Sequence, residues 1–319
     1  MPAPAPITTD DTSMPDRDPP PLTGPRHPGL LSTLQAYGGL QVAPARAFRR
    51  HDSLGRIGPL EVRLAQSAAE VRQAQKLRYR VFYKEGTAIP DPARLVARRD
   101  VDAFDAICDH LLVIDHSVTP NGTGNAPAVV GTYRLLRQEV AEDFGGFYTA
   151  SEFDIGGLLA RHADLKFLEL GRSCVLAPYR NKRTVELLWA GIWNYVRMSG
   201  LDVMFGCASL DGTDPQKLAQ SLSFLHHYAR APEEWRASAL PERYVDMNML
   251  SKESIDPKTA LRALPPLIKG YLRLGCYIGD GAVIDHQFGT TDVLIMLPVS
   301  ALNERYIQHF GADGERHAA

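Results

Sequence analysis

Apolar and polar residues alternate with period two over Leu60-Glu-Val-Arg-Leu64, which predicts a strand. Ser67-x-x-Glu70 then has the spacing of a helix capping box, and Val71, Ala74, Leu77 and Val81 recur behind it on one helical side. After a loop rich in Asp and Arg, residues 110–115 form an apolar run and residues 128–136 a second one. The Pro/Asn/Gly turn between them, residues 119–127, makes this pair a predicted hairpin. Residues 166–176 predict the next strand. A helix over residues 184–198 follows, with Val185, Leu188, Trp189, Ile192 and Val196 as its buried stripe and Gly200 as its stop. Residues 201–208 predict another strand, and Asp214-Pro215 has the cap and first-turn residues of a helix running to Tyr228. A helix over Pro266–Leu274 ends at Gly275, and residues 293–299 predict a last strand. No internal repeat is visible. This order of elements predicts the α/β (α+β) class: a mixed sheet flanked by helices.

Composition narrows the picture. The chain has 319 residues and 45% hydrophobic content, enough for one large domain or two small ones. Residues 1–55 are rich in Pro and poor in large apolar side chains, which predicts a disordered tail before a domain over residues 56–312 and a disordered end at 313–319. Basic and acidic residues are balanced at 35 against 37, which speaks against a nucleic-acid partner while leaving room for a local phosphate site. Cys108, Cys174, Cys207 and Cys276 are scattered without metal-ligand spacing, so free thiols in a reducing compartment and no metal site are expected. No secretory signal pattern and no stretch near the roughly 18 apolar residues of a membrane span are apparent. A cytoplasmic location is expected.

The chemistry concentrates in residues 168–193. There a strand leads through a turn carrying Arg180, Asn181, Lys182, Arg183 and Thr184 into a helix. The N–H groups of a first helical turn bind phosphate, and clustered cations strengthen the site by charge-assisted bonds. A basic turn before a helix is as readily a solvated surface. Glu169 and Arg172 stand on the strand itself. At a spacing of three they face opposite sides unless a bulge re-aims one. Two readings are open: a general base with an anion-binding group, or a buried ion-pair system including Arg134. Arg78, Phe82, Asp102, Asp105 and Arg134 form a third cluster, where Asp-x-x-Asp is either a cation site or a helix start. Adjacent His226 and His227 point apart on a helix, which disfavours a joint metal site.

Leu77-Arg78-Tyr-Arg-Val-Phe82, Asp102-x-x-Asp105, Val130-Gly-Thr-Tyr-Arg134 and Glu169-x-x-Arg172 resemble the ordered motifs of acyl-homoserine-lactone synthases, acyltransferases of the GNAT (N-acetyltransferase) fold. Longer stretches resemble the bacterial L-ornithine Nα-acyltransferases of ornithine-lipid synthesis, sometimes labelled hemolysin-like. These are Leu168-Glu-Leu-Gly-Arg-Ser-Cys-Val, Phe205-Gly-Cys-Ala-Ser-Leu-Asp-Gly-Thr-Asp-Pro, Leu264-Pro-Pro-Leu-Ile-Lys-Gly-Tyr-Leu-Arg-Leu-Gly and Phe288-Gly-Thr-Thr-Asp. The resemblance implies transfer of a 3-hydroxyacyl group from acyl carrier protein to the α-amine of ornithine, with no cofactor beyond the donor's phosphopantetheine. It also implies peripheral contact with the inner membrane, since the product is a lipid. On this reading Arg180–Thr184 receive the phosphopantetheine and its carrier, Glu169 is the base, and backbone N–H groups near residues 174–176 stabilise the oxyanion. Arg172 or Arg134 would hold the acceptor carboxylate, Asp102 or Asp105 its ammonium, with Arg78 and Phe82 beside them. Arg-Asn-Lys-Arg stands where acetyl-CoA enzymes of this fold carry glycines, and Gly171 replaces the hydroxyl residue of the lactone synthases. Both departures favour a carrier-protein donor and no lactone formation. The alternatives are the same chemistry on glycine, lysine or homoserine, or a membrane-lytic protein, which the absence of an amphipathic basic helix disfavours.

Overall fold

The computed structural model describes residues 53–118 and 128–302. Strands β1 (Ser53–Ile57) and β2 (Leu60–Leu64) make a hairpin. Helix α1 (Ala68–Tyr79) follows, and the Ser67 side chain accepts the N–H of Glu70 at 3.3 Å. The other half of the capping box is absent, because the Glu70 carboxylate binds Arg63 and the Gln66 N–H instead. α1 continues into a π-helical turn, Arg80–Glu85, and then α2 (Pro92–Ala97). The chain proceeds through β3 (Asp109–Asp115), β4 (Ala128–Arg137), α3 (Gln138–Phe144), β5 (Phe153–Asp154), α4 (Gly156–Arg161), β6 (Phe167–Val175) and α5 (Lys182–Ser199). It finishes with β7 (Val203–Asp211), α6 (Ala219–Ala229), β8 (Ser238–Ala239), α7 (Pro257–Ala263), α8 (Pro266–Leu274), β9 (Tyr277–Asp285) and β10 (Thr290–Pro298).

All ten strands join one sheet in the order β1-β2-β3-β4-β6-β7-β10-β9-β8-β5. Neighbours are antiparallel except β6/β7 and β8/β9. Helices cover both faces, so the centre of β3 is apolar on both sides: Leu111 and Val113 join the main core, while Leu112 and Ile114 pack with Ala74 of α1. α5 lies on β1, β2 and β3, and at Gly191 a Cβ would stand 2.6 Å from Val62, so glycine sets how closely helix and sheet approach. The predicted mixed sheet flanked by helices is the observed architecture.

Several expectations change. β1 begins at Ser53, inside the stretch assigned to the tail, because its few apolar residues pair with β2 rather than forming a pattern of their own. Val185 is 46% exposed; the buried side of α5 keeps Leu188, Ile192 and Val196 of the predicted stripe and adds Leu187, Gly191 and Tyr195. α6 starts at Ala219; Asp214 closes a turn by accepting the Gln216 N–H. β9 escaped the pattern because Gly279, Asp280 and Gly281 interrupt it. Gly279 has a structural cause, since a Cβ there would lie 2.8 Å from that of Leu294 on β10. The predicted turn at 119–127, the tail up to residue 52 and the terminal segment from 303 lie outside the described residues. All four cysteines are free thiols. Among the described residues no helix is long and apolar enough to cross a membrane.

Candidate active site

The site arises where β6 and β7 part. Their parallel pairing covers Phe167↔Val203, Leu168↔Met204 and Glu169↔Phe205 and then stops. Beyond it β6 stays with β4, and β7 stays with β10. Gly206 stands at the fork, where a Cβ would be 2.3 Å from the Leu170 carbonyl oxygen; no other residue fits without moving backbone. On the β6 side, Gly171 pairs with Arg134 and Cys174 with Thr132, so Arg172 and Ser173 together oppose Tyr133. This is a β-bulge, and Arg172 takes a left-handed φ of 51° within it. The fork opens a cavity of about 400 Å3 between β6, β7, the π-helical turn and the β9–β10 connection.

The bulge resolves the spacing problem of Glu169 and Arg172, since both border the cavity. Glu169 is 5% exposed, and among the described residues no arginine pairs with it at salt-bridge distance. Its oxygens accept the backbone N–H groups of Thr149 at 2.6 Å and Tyr148 at 3.1 Å. Burial raises its pKa; these N–H bonds and the Arg134 charge act against that without cancelling it. The Arg172 guanidinium lies 4.9 Å from the Tyr148 ring centre and 4.7 Å from that of Phe288. It reaches Asp100 at 3.4 Å and Asp102 at 3.3 Å.

The predicted acceptor set divides. Arg134 and Phe82 border the cavity, with Phe82 edge-on to Phe288. Arg78, Asp102 and Asp105 lie behind it in an ion-pair network. Arg78, 1% exposed, bonds Asp100 at 2.8 Å and Asp105 at 2.7 Å. Arg134 bonds Asp102 at 2.5 Å and lies 3.4 Å from Asp105. Burial by itself would raise the Asp102 carboxyl, but Arg134 and Arg172 overcome it and hold it below the usual carboxylate range. Asp102 and Asp105 also cap the single helical turn Ala103–Ala106 reciprocally. Their carboxylates are thus committed inside the protein, which leaves them poorly placed to receive an ammonium. The Asp100 partner of both Arg78 and Arg172 had no signal of its own in the sequence.

The donor turn is sorted in the same way. Asn181 is the N-cap of α5, its side chain accepting the Thr184 N–H at 3.1 Å, and the buried Thr184 hydroxyl turns to the same Asn181 oxygen at 3.4 Å. Asn181 and Thr184 therefore hold the turn together. Arg180 borders the cavity, anchored on the Val175 carbonyl and on Glu85 at 2.8 Å. Lys182 and Arg183 are exposed, with Lys182 beside Glu186 at 3.3 Å. The bulge falls earlier than residues 174–176, and the Leu176 N–H donates to Val130 at 2.9 Å. That N–H is not an oxyanion donor.

The sequence reading gave no role to Glu152, Asp285 or Asp292, although Asp292 closes the Phe288-Gly-Thr-Thr-Asp stretch. Oxygens of these three carboxylates lie within 4.8 Å of one another. Asp285 and Asp292 border the cavity, and burial together with Asp292 pushes Glu152 up to about 7. Glu152 precedes β5, far along the chain from Asp285 at the end of β9 and Asp292 on β10, so no local spacing could join all three. His226 and His227 belong to no such group among the described residues; His227 bonds the Leu250 carbonyl at 2.9 Å.

Residues 77–190 match the acetyltransferase (GNAT) domain family. The chain is 54% identical over 291 residues to an L-ornithine N(alpha)-acyltransferase of Rhizobium meliloti (strain 1021), covering 91% of this chain and 96% of that one. It is 54% identical over 263 residues to the enzyme of that name from Brucella abortus (strain 2308), covering 82% and 92%. Among solved structures it is similar to an N-acyl amino acid synthase from uncultured soil microbes, at 11% identity and a TM-score of 0.43, over 76% of this chain and 91% of that one. The chain belongs to the L-ornithine Nα-acyltransferase family and is an acyltransferase with a GNAT domain.

Proposed function

We propose that the cavity transfers a 3-hydroxyacyl group from acyl carrier protein to the α-amine of L-ornithine, giving lyso-ornithine lipid. The carrying observation is Glu169, a buried carboxylate of raised pKa that borders the fork between β6 and β7. The acceptor is taken from the names of relatives 53–54% identical to this chain.

An α-ammonium, with a pKa of about 8, must lose a proton before it attacks. Glu169 takes that proton, directly or through water. The amine nitrogen then bonds to the thioester carbon, the C–S bond breaks, and the proton that the nitrogen sheds in becoming an amide balances the one taken up by the departing phosphopantetheine thiolate. Arg172 and Arg134, both at the cavity, attract the acceptor carboxylate. Backbone turned toward the fork by the bulge at Arg172–Ser173 is the natural support for the oxyanion. Arg180, Lys182 and Arg183 meet the donor phosphate and the acidic carrier, on a turn braced by Asn181 and Thr184. The reading uses no resident cofactor and no metal. Release of an amphiphilic product implies peripheral contact with the inner membrane face of the cytoplasm.

Full-length protein, 3-hydroxyacyl carrier protein and a panel of ornithine, lysine, homoserine and glycine test the reading by release of free thiol. Ornithine should be consumed fastest. No release with any amine would overturn the acyl-transfer reading, and preference for glycine would overturn the acceptor alone.

A further inference from the structure

The ion-pair network occupies Asp102 and Asp105, so the side-chain ammonium of the acceptor needs another place. We infer that Glu152, Asp285 and Asp292 form that place, a carboxylate pocket that selects acceptors with a terminal ammonium. The inference rests on the acyl-transfer reading above and adds to it the residues that choose the amine.

The three groups come from separate elements: Glu152 precedes β5, Asp285 ends β9 and Asp292 lies on β10. Their oxygens sit within 4.8 Å of one another. One tetrahedral ammonium donating three bonds of about 2.9 Å has acceptors about 4.7 Å apart, a spread that suits this triangle. Asp285 and Asp292 border the same cavity as Glu169 and Arg172. The link to Glu169 is short: the Thr149 N–H donates to Glu169, and the Thr149 hydroxyl receives the Cys207 thiol at 3.7 Å. Cys207 in turn lies beside Glu152. Thr149 and Cys207 thus stand between Glu169 and the pocket, at two ends of one cavity wall.

Glu152 supplies the independent sign of a missing ligand. It is 2% exposed, and no hydrogen-bond donor reaches its Oε2 among the described residues; the weakly donating Cys207 thiol lies alongside. Arg243 stands 4.0 Å from Oε1 at the rim. Asp285 accepts the Gln287 and Phe288 N–H groups, and Asp292 accepts the Thr290 hydroxyl, so both have spare acceptor capacity. Asp292, like Glu152, has its pKa raised by burial. Close carboxylates repel one another, and a cation placed among them relieves that repulsion. A terminal ammonium is that cation, and it would leave an acceptor without one to face uncompensated charge.

The test compares ornithine with norvaline, which has the same carbon chain and no terminal amine, in thiol release from saturating 3-hydroxyacyl carrier protein. Wild-type kcat/KM should favour ornithine by 100-fold or more. Glu152→Gln and Asp292→Asn should each lower the ornithine value at least tenfold, while the norvaline value should hold or rise as the uncompensated charge is removed. Equal losses on both acceptors, or little discrimination in the wild type, would overturn the pocket. Inhibition of both acceptors by EDTA with recovery on Mg2+ or Ca2+ would also overturn it, in favour of a metal site. Calorimetry with unacylated carrier protein present separates this inference from the acyl-transfer reading. Ornithine binding that norvaline lacks, and that Glu152→Gln removes, supports the pocket whether or not transfer occurs. Equal binding of the two acceptors overturns it while leaving transfer to the thiol assay.

Discussion

Glu169 combines two properties that usually conflict. Burial raises its pKa, yet two backbone N–H groups keep its carboxylate oriented toward the fork. A proton acceptor with a raised pKa titrates closer to the working pH and accepts a proton more readily. The carboxylate is the active form, so activity falls as pH drops through the raised Glu169 pKa. Because Glu169 takes the proton from the bound ammonium, wild-type log kcat/KM should fall with a slope of one below the Glu169 pKa, whereas Glu169→Gln, which depends on amine already neutral in solution, should begin its fall at the amine pKa of about 8. That variant should lose about 10²–10⁴ in kcat while carrier binding persists. An unchanged kcat, with stability alone reduced, would leave Glu169 as nothing more than the group that holds Tyr148 and Thr149.

At the scale of elements, the cavity exists because one strand bulges and its neighbour carries glycine at the point of separation. Gly206→Ala forces a Cβ to within 2.3 Å of the Leu170 oxygen unless the fork widens. Overpacking of this kind costs about 1–3 kcal/mol, so thermal unfolding should shift to lower temperature and thiol release should slow. Unchanged stability and rate would show that the fork width is not fixed by Gly206. The start of α5 makes a second element-scale prediction. Arg183 is exposed beside the braced turn, and Arg183→Ala should raise KM for the carrier severalfold at low salt, with the difference shrinking as salt screens the encounter. A KM unaffected at every ionic strength would remove Arg183 from the docking face.

Across the whole molecule, the arginine–aspartate network ties α1 to the segment before β3, to β4 and to the bulged β6. Arg78 contacts Asp100 and Asp105, Arg134 contacts Asp102 and Asp105, and Arg172 contacts Asp100 and Asp102. Removing Arg78 leaves two buried carboxylates without their closest counter-charge. Arg78→Ala should therefore lose about 3–5 kcal/mol in denaturant unfolding. A loss below about 1 kcal/mol would mean that water or Arg94, 3.7 Å from Asp100, replaces it. Because Arg172 belongs both to this network and to the cavity wall, the same variant should also disturb acceptor binding in the protein that remains folded.

The sequence alone determined the elements with long, regular patterns: β2, β3, β4, β6, α5 and α8 follow from apolar periodicity and from the stops at Gly200 and Gly275. It also brought Glu169, Arg172 and the basic turn into view, because charged residues inside an apolar strand are conspicuous. Tertiary structure decided their surroundings. Whether Glu169 and Arg172 share a face depends on a bulge that hydrogen bonding to β4 creates, and a period-two pattern cannot show it. Asp102 and Asp105 looked ready for an ammonium until three arginines from different elements surrounded them. Glu152 lies far along the chain from Asp285 and Asp292 and meets them only when the segment before β5 joins the β9–β10 hairpin in one sheet. Local periodicity reports which side of an element is buried; the partners of a buried charge are set by chain reversals that bring distant segments together.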